Sequence, residues 1–276
     1  MPAISDRILE YSRSTPDHAS GTVDVAVLHA IEDLAPSPLN WTMETGCGKT
    51  TILLSNVSQR HQVFCVDDRA AKNSSIAYVA ECPSYQDDVT HFILGPTQRT
   101  LPTFVFDQPI DLALLDGPHG YPFPELEYFF VYPHLRAGAL LVIDDIHIPT
   151  IHNLYSFLAE DDMFDLAHVE KTTAFFRRTG APALDPSGDG WWLQSYNKAR
   201  FPIAPPAEAQ PSASPGLEDA APPDSNAGTP APGEQQQMDS DNATLREQLA
   251  TWQRIAEERR LRRRLARRLP MLKRWL

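Results

Sequence analysis

The 276-residue sequence holds only three cysteines, Cys47, Cys65 and Cys82, and their spacing matches no metal-ligand pattern, so they read as free thiols. It lacks any apolar run approaching the roughly 20 residues that a membrane-spanning helix needs. Its first residues, Met-Pro-Ala-Ile-Ser-Asp-Arg, lack the basic-then-apolar pattern of a secretory signal. These absences together set the expectation of a cytoplasmic body. Positive charge is scarce as well: residues 1–203 carry 13 basic and 26 acidic side chains. That balance argues against a nucleic-acid-binding enzyme, whose surface would show a basic face.

Residues 204–243 contain seven acids and no Lys or Arg. With Pro, Ala, Ser and Gln prevailing and few large apolar side chains, the segment 203–243 reads as a disordered linker. Residues 244–276 reverse the sign, with 11 basic and three acidic side chains. Leu245, Leu249 and Trp252, then Leu261, Leu265 and Leu269, give an amphipathic helix whose other face is mostly arginine. Such a helix suits an anionic membrane surface. It equally suits pairing with a partner helix, including that of a second copy in a homo-oligomer. The expected domains are therefore 1–202, 203–243 and 244–276.

One glycine is missing where it would decide a function. Gly48-Lys49-Thr50 resembles the end of an ATP-binding P-loop, but that loop needs a further glycine five residues earlier. The position is Met43, inside an expected strand, where a side chain in extended backbone leaves no anion cradle. A P-loop-type ATPase is thus the rival reading, not the leading one.

From residue 22 helix-like and strand-like segments alternate. Strands are expected over Trp41–Glu44, Gln62–Val66, Val89–Leu94, Ile110–Leu115 and Ala139–Ile143. Helices are expected over Val23–Leu34, Lys49–Ser58, Lys72–Glu81, Pro124–Leu135 and Ile151–Ala159, with a weaker one near Gln98–Phe104. Phe164–Arg177 and Trp191–Tyr196 read as a final strand pair. Short apolar strands alternating with helices give an α/β fold, a doubly wound sheet covered on both faces. Its binding crevice lies at the carboxyl ends of the strands. Those ends carry Glu44, Asp67-Asp68, Asp116 and Asp144-Asp145, so their carboxylates face one crevice.

The ordered series Glu44-x-Gly46-x-Gly48-x-Thr50, Asp67, Asp116-Gly-Pro-His119-Gly-Tyr121 and Gly138-Ala-Leu-Leu-Val-Ile-Asp144-Asp145 resembles class I S-adenosylmethionine-dependent methyltransferases over roughly residues 22–196. It is similar in particular to metal-dependent sugar and catechol O-methyltransferases. The resemblance implies a Rossmann-like sheet of about seven strands with an antiparallel final strand, and S-adenosylmethionine as cofactor. By it, Glu44, Gly46, Gly48 and Thr50 serve the methionine end, Asp67 or its neighbour Asp68 the ribose, and Asp116 lines the same pocket. It further implies that Asp116, Asp144 and Asp145 hold a metal, that His119 is the general base, and that the acceptor is a hydroxyl of a sugar, glycan or related natural product. Three adjacent carboxylates repel one another unless protons or a cation offset them, and Mg²⁺ suits an oxygen ligand set. Whether a metal is required stays open. A degenerate methyltransferase body serving as a tethering module is the other alternative.

Overall fold

The computed structural model describes residues 3–15, 23–185 and 188–200, all within Met1–Ala209, the first of two units into which the chain divides. The expectations for 203–243 and 244–276 lie outside the described residues. Among the described residues, no helix is long and apolar enough to cross a membrane.

Seven strands form one sheet: β1 (Leu39–Thr45), β2 (Ser58–Cys65), β3 (Thr90–Leu94), β4 (Ile110–Leu115), β5 (Leu135–Ile143), β6 (Phe164–Glu170) and β7 (Thr173–Arg178), in the order β3-β2-β1-β4-β5-β7-β6. Strands β1 to β5 are parallel to their neighbours, and β7 runs antiparallel between β5 and β6. The chain winds outward from β1 to β3 and then returns to β4 beside β1. That reversal opens a crevice beyond the carboxyl ends of β1 and β4.

Side-chain alternation gives β4 and β5 apolar residues on both faces. On one face, Ala113, Leu115, Leu141 and Ile143 pack with helices α6 (Phe123–Val131) and α7 (Pro149–Leu158) through Tyr128, Val131, Leu154 and Leu158. On the other, Leu112, Leu114, Leu140 and Val142 pack with α2 (Val25–Leu34) and α3 (Lys49–Val57) through Leu28, Ile31, Ile52 and Leu54. The short helices α4 (Ser75–Ala80) and α5 (Thr97–Thr100) follow β2 and β3. Helix α1 (Ile4–Ser14) has no counterpart in the expected pattern. It packs Ile8 into the second core, and Tyr11 Oη donates to the Tyr78 carbonyl at 2.8 Å.

The expected final strand pair is corrected. Phe164–Arg177 is itself a hairpin, β6 turning into β7 at Lys171, which takes φ 55°. Trp191–Leu193 is a 3₁₀ turn, followed by the short helix α8 (Ser195–Lys198). The place beside β5 is already filled by β7. Trp191 and Leu193 therefore stay 42% and 58% exposed, where a sheet strand would have buried them.

Candidate active site

A cavity of about 680 Å³ opens above the carboxyl ends of β1, β2, β4 and β5. Gly46 forms part of its wall directly after β1. Its φ of 97° is left-handed, and a Cβ there would stand 2.7 Å from the Asp116 carbonyl oxygen. Glycine is thus required for the chain to leave β1 so close to the end of β4. The Gly46 N–H is anchored on the Phe64 carbonyl at 3.0 Å. Gly48, at φ 175°, is in extended backbone and lies outside the cavity lining. Met43 is fully buried within β1, so the phosphate cradle of a P-loop does not form.

Glu44 does not line the cavity. It points to the opposite side, fully buried, and accepts hydrogen bonds from the hydroxyls of Thr50 and Thr51 on α3, with His61 Nε2 3.2 Å away. Thr50, buried on that contact, does not line the cavity either. Alternation along β1 turns Glu44 toward α3, so neither it nor Thr50 is brought to the cavity wall.

Asp67 does not line the cavity either. Arg69 captures its carboxylate in a fork, Nε at 2.7 Å and Nη2 at 2.6 Å, and the side-chain hydrogen bond from Arg69 holds Asp67 down at a pKa of about 2. Asp68 is the acid that lines the cavity. It caps α4, accepting from Ser74 Oγ at 2.7 Å and from the backbone N–H groups of Ser75 and Ile76. Burial works to raise its pKa, but these donors outweigh it and leave the carboxylate below its ordinary range.

At the other end of the cavity, Asp116, His119, Asp144 and Asp145 converge from the ends of β4 and β5. His119 Nε2 lies 3.5 Å from Asp116 Oδ1 and 3.3 Å from Asp145 Oδ2. Ligand atoms of Asp116, His119 and Asp145 all fall within 4.8 Å of one another, the spacing of a metal-ligand set. Asp144 is turned aside: it is 8% exposed and accepts from Thr173 Oγ1 at 2.5 Å. Asp145 reaches the cluster only through a left-handed backbone, φ 55°, which costs a non-glycine residue on the order of 1–3 kcal/mol. His147 Nδ1 stands 3.6 Å from Asp145 Oδ1 on the exposed rim.

The electrostatics follow from crowding. Burial pushes Asp116 up to about 7, with the negative charges of Asp144 and Asp145 adding and His119 opposing. Burial also raises Asp144. His119 is raised above its ordinary value, first by its hydrogen bond to Asp116 and then by the nearby acids, against the opposing effect of burial.

Three further residues support this end, and the sequence motifs did not single them out. Thr173 orients Asp144 from β7, as above. Glu127 on α6, 2% exposed, accepts from Thr45 Oγ1 at 2.7 Å, and Thr45 Oγ1 in turn accepts the Asp116 N–H at 3.0 Å. Among the described residues, Lys171, in the hairpin turn, is the only lysine or arginine in the cavity wall. The pattern Asp-Gly-x-x offered no clue to these, because each comes from a distant element brought in by the sheet.

Residues 43–146 match the family described as a methyltransferase domain. Among curated proteins, no sequence matches the chain. Of solved structures, one similar to it is a putative O-methyltransferase from Klebsiella pneumoniae, at 12% identity and a TM-score of 0.51, covering 65% of this chain and 91% of that one. Another is the O-methyltransferase from Bacillus cereus in complex with SAH, at 11% identity and a TM-score of 0.50, with the same coverage of 65% and 91%. At such identities these likenesses speak to the fold alone. The match over residues 43–146 is to a methyltransferase domain, and the strand order together with these likenesses gives the described residues the fold of such proteins.

Proposed function

We propose that the protein transfers the methyl group of S-adenosylmethionine to a hydroxyl oxygen of a small-molecule acceptor, a sugar, glycan or related natural product, with His119 as general base. The observation that carries this reading is the meeting of His119 with Asp116 and Asp145 at one end of the cofactor-sized cavity. Two features support the cofactor assignment: Asp68 offers a carboxylate in the cavity wall that can accept from ribose hydroxyls, and the Gly46 turn keeps the wall beside Asp116 free of a side chain. When bound, S-adenosylmethionine supplies an electrophilic methyl on a sulfonium.

The protein's own residues then align the acceptor and handle its proton. With Nε2–H directed at the carboxylates of Asp116 and Asp145, the imidazole's other nitrogen, Nδ1, is the basic one. The acceptor oxygen forms the new C–O bond as the S–CH₃ bond breaks, and the hydroxyl proton passes to His119 Nδ1. The products are a methyl ether, S-adenosylhomocysteine and an imidazolium held by Asp116 and Asp145.

The same donor set suits a hard divalent cation such as Mg²⁺. Crowded carboxylates with raised proton affinity are what such an ion offsets. Asp116 and Asp145 would hold it, with Asp144 behind them. Bound there, it would supply Lewis acidity that favours the ionised hydroxyl. The three free thiols agree with a reducing, cytoplasmic setting.

Methyl transfer from tritiated S-adenosylmethionine to a panel of vicinal diols, sugars and catechols, with and without Mg²⁺, tests the reading. Label in a methyl ether, lost in His119→Ala, supports it. Label fixed only on nitrogen or carbon acceptors would overturn it.

A further inference from the structure

Glu44, turned away from the cavity, sits in a hydrogen-bonded chain that leads back to it. His61 on β2 and Glu44 on β1 are both fully buried. His61 Nε2 stands 3.2 Å from Glu44 Oε1, and His61 Nδ1 stands 2.8 Å from Thr42 Oγ1. Glu44 Oε1 also accepts from the Thr51 hydroxyl, while Thr50 Oγ1 donates to Glu44 Oε2 at 2.5 Å. Thr51 Oγ1 in turn accepts the Gly48 N–H at 3.0 Å. Gly48 closes the Gly46-Cys47-Gly48 turn, whose first two residues line the cavity.

A carboxylate only accepts, so the nitrogen facing Glu44 must carry a proton. His61 Nε2 gives its N–H to Glu44, and Nδ1 rests against Thr42 Oγ1, which donates to Ser58 Oγ at 3.0 Å. Glu44 then takes three donors, from Thr50, Thr51 and His61, which is how a carboxylate becomes tolerable inside an apolar core. The surroundings are apolar: Ile52, Leu53 and Leu54 are fully buried on the same helix. Remove His61, and Glu44 must find a third donor by pulling on Thr50 or Thr51. Thr51 holds the Gly48 amide, so the disturbance reaches the turn.

We infer that His61 is a positioning residue for S-adenosylmethionine binding, acting through Glu44 and Thr51 on the Gly48 amide and so on the Gly46–Gly48 turn. The inference rests on the assignment of the cavity to that cofactor. A buried ion pair alone would serve stability. The bond from Thr51 to the Gly48 amide is what makes this one a relay to the site.

Calorimetric titration of the full chain with S-adenosylmethionine tests it, beside amide hydrogen exchange at Gly48. His61→Leu is expected to weaken binding by about tenfold, the size expected for one lost hydrogen bond to a charged group, and to speed exchange at Gly48 more than at Leu53. His61→Gln, which keeps an N–H donor, should bind within about threefold of the wild type on the same scale. Thr51→Val leaves the His61–Glu44 pair in place but cuts the link to Gly48, so it should reproduce the loss. The double variant should add little to either single one. Should His61→Leu not fold, Thr51→Val carries the test. Variants that melt earlier yet bind the cofactor with unchanged affinity and unchanged Gly48 exchange would overturn the inference, leaving the network a purely structural one. Absence of saturable binding by the wild type would overturn the cofactor assignment itself, and the relay with it.

Discussion

His119 Nε2 lies 3.3 Å from the Asp145 carboxylate, a contact that exists because Asp145 leaves β5 in a left-handed backbone conformation with φ 55°. The bend is secured from the neighbouring hairpin: the Ile146 N–H donates to the Thr172 carbonyl at 2.9 Å, and Thr173 Oγ1 holds Asp144. Strain at this point serves to bring an acid from β5 to a base presented after β4. The proposed proton transfer depends on that meeting.

His119→Ala should therefore lower kcat by about 10²- to 10⁴-fold, the usual worth of a positioned general base. Cofactor affinity should stay within about twofold, because Asp68 and the Gly46 turn are untouched. Steady-state kinetics with a methylated acceptor, beside calorimetry with S-adenosylhomocysteine, check both halves.

The pH profile follows from the same contacts. His119 must be neutral to accept a proton, and its pKa is raised, chiefly by the hydrogen bond to Asp116. Activity should rise with pH through a limb above the ordinary histidine value of 6.5. Asp116, pushed up to about 7 by burial, titrates in the same range, so the limb belongs to the pair. Asp116→Asn removes the largest cause of the histidine's shift, and should move the limb to lower pH as well as reduce the rate. A limb that stays in place would contradict the assignment.

Glu127 gives a stability prediction with a definite sign. Burial pushes its carboxyl up from 4.5 to about 7, so the folded protein holds this proton more tightly than the unfolded chain does. Its contribution to stability is full below pH 4.5 and is lost as pH rises toward about 7. The loss is on the order of 3 kcal/mol at most. Glu127→Gln does not titrate, so the wild type's Tm relative to that variant should fall by several degrees between about pH 5 and pH 8. A gap independent of pH would show that Glu127 is ionised throughout.

Gly117 should tolerate no side chain. A Cβ there would stand 2.0 Å from Glu127 Oε1, and Glu127 is packed at 2% exposure behind the Asp116 loop. Gly117→Ala should cost about 1–3 kcal/mol in denaturant unfolding. It should also lower kcat, since Glu127 holds Asp116 through Thr45. Wild-type stability and rate would contradict this packing.

Much of the sheet was legible in the sequence because β4 and β5 carry apolar residues on both faces, as strands of a covered parallel sheet do. Asp116, His119 and Asp145 were legible for a related reason: strand ends in such a sheet share one crevice. Orientation is what the sequence does not mark. Glu44 ends a strand as Asp116 follows one, yet alternation turns it toward α3, and no local spacing marks which side a terminal residue takes. Asp67 and Asp68 differ by one position, and of the two Asp68 lines the cavity while Arg69 holds Asp67. The β6–β7 hairpin was read as a single strand because its turn carries Lys171, with no glycine or asparagine to mark it. Helix α1 was missed, because it precedes the alternating pattern from which the elements were read.

The most direct test of the account is calorimetric titration of the full-length protein and its Asp67→Ala and Asp68→Ala variants with S-adenosylmethionine, with ATP as the control ligand. The wild type and Asp67→Ala should bind S-adenosylmethionine with like affinity, Asp68→Ala should bind it at least about tenfold more weakly, and none should bind ATP. Saturable ATP binding, or a loss confined to Asp67→Ala, would contradict the placement of the cofactor in this cavity.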